Sequence, residues 1–133
     1  MAQKLTSLIV STLMLCGAVL AEDKKAADGV THVRAAEAEK LVKDGKITVL
    51  DVRTPDEYKE GHIAGAKNID FTDNSFESEA AKLDKTKTYL VHCQAGGRST
   101  KSLEVLKKLG FQSVYHLDGG FKDWKGEGKA VEK

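Results

Sequence analysis

Cys93 stands between Thr88-Tyr89-Leu90-Val91-His92 and Gln94-Ala95-Gly96-Gly97-Arg98-Ser99. The residues before it are β-branched and apolar and read as a strand, while a helix reads from Arg98 to about Leu109. A thiol at such a junction faces the unpaired N–H groups of a first helical turn, where the helix dipole favours negative charge. That setting lowers a thiol pKa from its free value near ~8.5 and supplies thiolate. Gly96 and Gly97 let the backbone curl so that several amides converge on an anion. Arg98, separated from the cysteine by four residues in a C-x4-R loop, adds a cation able to hold a tetrahedral oxyanion through two parallel hydrogen bonds. Most free cysteines are small buried hydrophobes. A strand end followed by Gly-Gly-Arg-Ser argues for reactivity instead, and we read Cys93 as a nucleophile. Gln94, Ala95, Gly96, Gly97, Arg98 and Ser99 are then the substrate-binding loop, with Ser99 as a cap or brace.

The elements that position this loop alternate. Thr31 to Val33 reads as a short strand and Ala35 to Lys43 as a helix stopped by Asp44-Gly45. Ile47 to Val52 is nearly all apolar and reads as a strand buried on both faces. Thr54-Pro55-Asp56-Glu57 opens a short helix: Thr caps, Pro takes the first position, acids follow, and Gly61 ends it. Ala66 to Ile69 reads as a strand and Asp73 to Leu83 as a helix. Gly110 caps the helix after the cysteine, Ser113 to Leu117 forms the last strand, and Phe121 to Trp124 starts a final short helix. Strands alternating with helices imply an α/β domain, a parallel sheet of about five strands with helices on both faces. In such sheets ligands bind beyond the carboxyl ends of the strands. Both Cys93 and Arg53, one residue past its strand, fall on that edge.

The start of the chain differs in composition. Lys4 is the only charge in the first 21 residues, Leu5 to Leu20 is apolar apart from short hydroxyl residues, and Val19-Leu20-Ala21 precedes Glu22-Asp23-Lys24-Lys25. This is the pattern of a secretory signal peptide cleaved after Ala21, and we expect the mature protein in the periplasm. Residues 22–30 read as a flexible linker, 31–126 as the domain and 127–133 as a C-terminal tail. Removing Lys4 from the 21 basic residues leaves 20 against 20 acidic ones. A mature chain without net charge gives no reason to expect nucleic acid or an anionic membrane surface as a partner. Cys16 leaves with the leader, so Cys93 remains as a lone thiol in an oxidising compartment, a flag for reactivity. We expect a monomer with no membrane contact after cleavage.

Several stretches together resemble the single-domain rhodaneses, the thiosulfate sulfurtransferases. They are Leu50-Asp51-Val52-Arg53-Thr54-Pro55-Asp56-Glu57-Tyr58, Gly61-His62-Ile63-Ala64-Gly65-Ala66-Lys67-Asn68-Ile69, the Cys93–Ser99 loop, and Leu117-Asp118-Gly119-Gly120-Phe121 with Trp124. The resemblance implies a rhodanese-like fold, a persulfide carried on Cys93, loop amides that cradle it, a small sulfur donor such as thiosulfate, a thiol or cyanide acceptor, and neither metal nor organic cofactor. Gln94 and Ala95 stand where many thiosulfate-preferring members carry a basic residue. Phosphatases and arsenate reductases on the same scaffold also pair a loop cysteine with an arginine. Typically they place five residues between the two, against four here. A noncatalytic module is the third class, and loss of the cysteine would be its sign.

Other polar residues near the expected edge take supporting roles. An Arg53–Glu57 ion pair is expected to brace the strand-to-helix turn, with Asp51 beside it. His62 is expected to make a structural hydrogen bond. Strand alternation turns His92 to the face opposite Cys93, and Phe121 and Trp124 read as core.

Overall fold

The computed structural model describes residues 29–133; the leader read at 1–21, with Cys16, and the linker through residue 28 lie outside the described residues. Five strands form one parallel sheet: β1 (Thr31–Val33), β2 (Thr48–Asp51), β4 (Lys67–Asn68), β5 (Thr88–His92) and β6 (Ser113–Leu117), in the order β1-β6-β5-β2-β4. The α/β expectation holds, and β5 sits at the centre. Register aligns the carboxyl ends: Asp51 lies beside His92, and Val91 beside His116. The residues that follow these strands therefore emerge on one edge.

Each face of the sheet is buried under helices. On one, Leu50, Val52, Tyr89, Val91, Cys93 and Val114 pack with Phe76 of α3 (Phe76–Ala81) and with Leu103 and Leu106 of α4 (Gly97–Lys108). On the other, Val49, Leu90 and Leu117 pack with Ala35 and Ala38 of α1 (Ala35–Lys43) and with Phe121 and Trp124 of α5 (Gly120–Gly126). Alternation along β5 divides the two cores, Tyr89, Val91 and Cys93 on one side, Leu90 on the other. Phe121 and Trp124 are core residues, as expected.

α2 (Pro55–Glu60) starts as the sequence suggests, with the Thr54 hydroxyl accepting from the Glu57 amide at 3.3 Å and Pro55 in the first turn. The helix expected over 73–83 contracts to α3 because the Asp73 carboxylate accepts from both the amide and the hydroxyl of Ser75, at 2.8 and 2.7 Å, and turns the chain instead. One pairing is absent from the sequence reading. β3 (His62–Ile63) runs antiparallel to β7 (Val131–Glu132), so part of the segment read as a tail folds back onto the domain. Among the described residues no helix is long and apolar enough to cross a membrane.

Candidate active site

β5 delivers Cys93 to the carboxyl edge of the sheet, and four residues later α4 begins. The turn between them rests on Gly96, whose φ of 110° is open to glycine and strained for other residues. A Cβ there would also approach the Asp118 carbonyl to 2.8 Å. Gly97, expected to share this role, is simply the first residue of α4 and is not in the left-handed region. The loop is held from behind by α5: the Phe121 amide donates to the Cys93 carbonyl at 2.8 Å and the Lys122 amide to the Gln94 carbonyl at 2.9 Å. Gly120, with φ of 63°, permits this approach, since a Cβ would meet both carbonyls below 3 Å.

The Cys93 sulfur lies at the floor of this loop. It accepts from the Gly96 amide at 3.1 Å and from the Ser99 hydroxyl at 3.3 Å. The residue is only 1% exposed, so the sequence argument that set burial against reactivity is corrected: the cysteine is buried, and the loop brings hydrogen-bond donors in with it. Burial pushes the thiol pKa up, but hydrogen bonds from Ser99, Gly96 and Ala95 outweigh it and the net direction is down. Ser99 is thus more than a brace. Its hydroxyl also reaches the Gly96 carbonyl at 3.1 Å and the His116 Nε2 at 2.7 Å. His116 Nδ1 lies 2.7 Å from Asp118 Oδ1, which His32 Nδ1 approaches to 2.6 Å. These contacts are hydrogen-bond lengths, shorter than the separation of donors that each lie ~2 Å from one shared cation. His32, Asp118 and His116 form a proton-linked chain that ends at the nucleophile's neighbour.

Charge around the loop is arranged differently from the sequence expectation. Arg53 does not pair with Glu57. Its guanidinium turns back beneath the sheet edge, donating to both Asp51 oxygens at 2.7–3.1 Å and to the Gly61 carbonyl at 2.8 Å, and lies 4.1 Å from the Phe121 ring centroid. Asp51 ends β2 with no solvent exposure, so its carboxylate requires a cation at hand. Glu57 instead takes Arg98 in a two-pronged pair at 2.7 and 2.9 Å. That hydrogen bond, opposed by burial, draws the Glu57 pKa down from 4.5 to about 2, and the same contact raises that of Arg98. Arg98 is therefore a partnered cation at the rim. A cleft of about 320 Å³ opens beside the loop, lined in part by Arg53, Glu57, Gln94, Phe121, Lys125 and Lys133.

A buried cysteine at a strand end, a backbone amide and a hydroxyl turned onto its sulfur, and an arginine at the next helix start on a five-stranded parallel sheet agree with the resemblance carried by the sequence. The model of the rhodanese-like domain matches residues 34–127. The chain belongs to the rhodanese family.

As a rhodanese-like sulfurtransferase domain it has relatives of known name. It is 43% identical over 96 residues to the thiosulfate sulfurtransferase GlpE of Coxiella burnetii, a match covering 72% of this chain and 85% of that protein. To the probable adenylyltransferase/sulfurtransferase MoeZ of Mycobacterium tuberculosis it is 34% identical over 121 residues, which covers 91% of this chain but 31% of MoeZ. The crystal structure of a rhodanese-related protein from Thermoplasma volcanium superposes with a TM-score of 0.68 at 34% identity, covering 76% of this chain and 96% of that one.

In this rhodanese domain the remaining expected residues fall as follows. Gln94 sits at the cleft, its side-chain oxygen 3.5 Å from Arg53 Nη1. His62 is structural: its ring stacks on Tyr58 at 3.8 Å and its Nδ1 lies 2.9 Å from the Tyr58 carbonyl. His92 points away from Cys93 toward Phe121, as alternation requires, with Nδ1 3.0 Å from the Cys93 carbonyl. Burial lowers its pKa, so the imidazole is neutral. The sequence reading gave no site role to His116, Asp118 or His32. The available signal was the spacing of His116 and Asp118, two residues apart at the carboxyl end of the strand read over Ser113–Leu117.

Proposed function

We propose that this domain transfers the outer sulfur of thiosulfate to a thiol or cyanide through a persulfide on Cys93. The Cys93 thiolate attacks the outer sulfur, a new S–S bond forms, and the S–S bond of thiosulfate breaks with its electron pair leaving on sulfite. An acceptor thiolate, or cyanide, then takes the outer sulfur and returns Cys93 as thiolate. Charge is conserved in both steps and no oxidant is needed.

The observation that carries this reading is the pair of donors on the Cys93 sulfur, the Gly96 amide and the Ser99 hydroxyl. An anion meeting a dianion must overcome repulsion of roughly 4 kcal/mol per pair of charges at ~4 Å and an effective dielectric near 20. Donors already turned toward the sulfur, at the amino end of a 12-residue helix, offset that cost without reorganising. The pairing of Arg98 with Glu57 leaves the amides and hydroxyl as the main stabilisers. The side cleft suits an acceptor with a polar body. Cys93→Ser is expected to keep the fold and lose sulfite release from thiosulfate; a Ser variant releasing sulfite at the wild-type rate refutes the assignment.

The same reading extends to place. The apolar start of the chain supports export, with a mature protein beginning at Glu22. N-terminal sequencing after cell fractionation is expected to find Glu22 outside the cytoplasm; intact Met1 in the soluble cytoplasmic fraction refutes it.

A further inference from the structure

The chain of hydrogen bonds behind the nucleophile has a direction. Asp118 Oδ1 lies within 2.7 Å of the Nδ1 atoms of both His116 and His32. Burial would raise the Asp118 pKa, yet the hydrogen bonds from His32 and His116 hold it below the usual value, so it is a carboxylate and can only accept. His116 Nδ1 therefore carries a proton, and the variable position is Nε2, which is 2.7 Å from the Ser99 oxygen. Ser99 has one proton and three acceptors in reach: the Cys93 sulfur, the Gly96 carbonyl and His116 Nε2. With His116 neutral, Ser99 donates to Nε2 and receives from the thiol. With His116 protonated, Nε2 donates to Ser99, and the hydroxyl proton is released to the sulfur.

We propose that Ser99, His116 and Asp118 form a proton relay that removes the proton of the Cys93 thiol. This rests on the reading of Cys93 as the nucleophile. The S–H bond breaks as its proton passes to the Ser99 oxygen; the Ser99 O–H bond breaks as that proton passes to His116 Nε2. A neutral thiol and imidazole become a thiolate and an imidazolium, with no change in total charge and no redox step. Asp118 lies against the new imidazolium, and the Gly96 amide and Ser99 hydroxyl against the new thiolate. His116, buried at 2% exposure, acts through Ser99 and is a positioning residue. Among the described residues the titratable groups that face it are Cys93 at the loop, Asp118 just past the end of its own strand, and His32 on β1, whose ring meets it edge-on at 5.4 Å. His92 on β5 acts through the sheet from the opposite face and feels the His116 charge as repulsion.

A thiol coupled to an imidazole titrates in two macroscopic steps, and each group shifts the other by the same amount. The thiolate is read from its ultraviolet absorbance against pH in the full-length protein, with Cys93→Ala as the blank. In wild type the absorbance is expected to rise in two steps. His116→Gln keeps a hydrogen bond to Ser99 but takes up no proton; one step is expected, with ~10-fold less thiolate near pH ~6, a shift of about one unit. An unchanged profile in that variant overturns the relay. The reciprocal measurement needs no variant of His116. Nitrogen NMR of the His116 ring is expected to show its midpoint falling when Cys93 becomes Ala, because the imidazolium loses its thiolate partner. An unmoved midpoint overturns the relay as well. Neither readout uses a sulfur donor, so a two-step titration without thiosulfate turnover supports the relay and counts against the proposed substrate.

Discussion

Glu57→Gln removes one charge from the site and leaves its shape. Glutamine keeps an oxygen for Arg98 while giving up the ion pair now formed at 2.7 and 2.9 Å. The carboxyl pKa stands at about 2 against 4.5, which at ~1.36 kcal/mol per unit corresponds to roughly 3 kcal/mol before screening. Both side chains are close to a third exposed, and solvent reduces such a pair to about 1 kcal/mol. Because the folded pKa is depressed, this contribution is complete above pH 4.5 and disappears as pH falls toward 2. Urea unfolding of wild type and variant is expected to show a gap of about 1 kcal/mol at neutral pH that closes across that acidic window. In the same variant Arg98 becomes an unneutralised cation beside the loop. Its KM for thiosulfate is expected to fall a few-fold at low salt, with the gain fading as salt rises. A stability gap that persists unchanged below pH ~2.5, or a KM that rises, refutes the assignment of Glu57 as the neutralising partner.

Two further outcomes test the packing and the loop. Asp51→Asn leaves the Arg53 cation buried at 2% exposure without its counter-charge and is expected to cost ~3–5 kcal/mol in urea unfolding; a loss under ~1 kcal/mol shows that Gly61 and Phe121 suffice to hold it. Inserting one glycine between Gly96 and Gly97 keeps Cys93 and Arg98 but moves the donors off the sulfur, and sulfur transfer is expected to drop ~10²-fold or more. The unmodified protein is expected to show negligible hydrolysis of a small aryl phosphate, and a wild type that is the better phosphatase refutes the sulfur-transfer reading.

The parallel sheet and the Cys93 loop were legible because their signals are local. Thr88–His92 and Ser113–Leu117 are apolar runs bounded by turns, and the structure has strands over those same residues. Thr54-Pro55 and Gly110 punctuate helices by rules of short range. What the sequence hid was partner choice. Arg53 and Glu57 are four residues apart and looked like a pair, but burial of Asp51 captured the arginine and left Glu57 facing α4. Its true partner, Arg98, is 41 residues away. The link from Ser99 to His116 spans 17 residues and that from His32 to Asp118 spans 86; both depend on strand order β1-β6-β5, which no local pattern encodes. The β3–β7 pair is hidden for the same reason, two residues on each side being too few to carry a period.

The central claim is a sulfur carried on Cys93, and intact-mass and peptide mass spectrometry after thiosulfate treatment test it directly. One added sulfur atom is expected on the peptide containing Cys93, lost again on adding cyanide or dithiothreitol and absent from Cys93→Ser. Sulfite release with no mass gain at Cys93, or an adduct that survives in the Ser variant, contradicts the account.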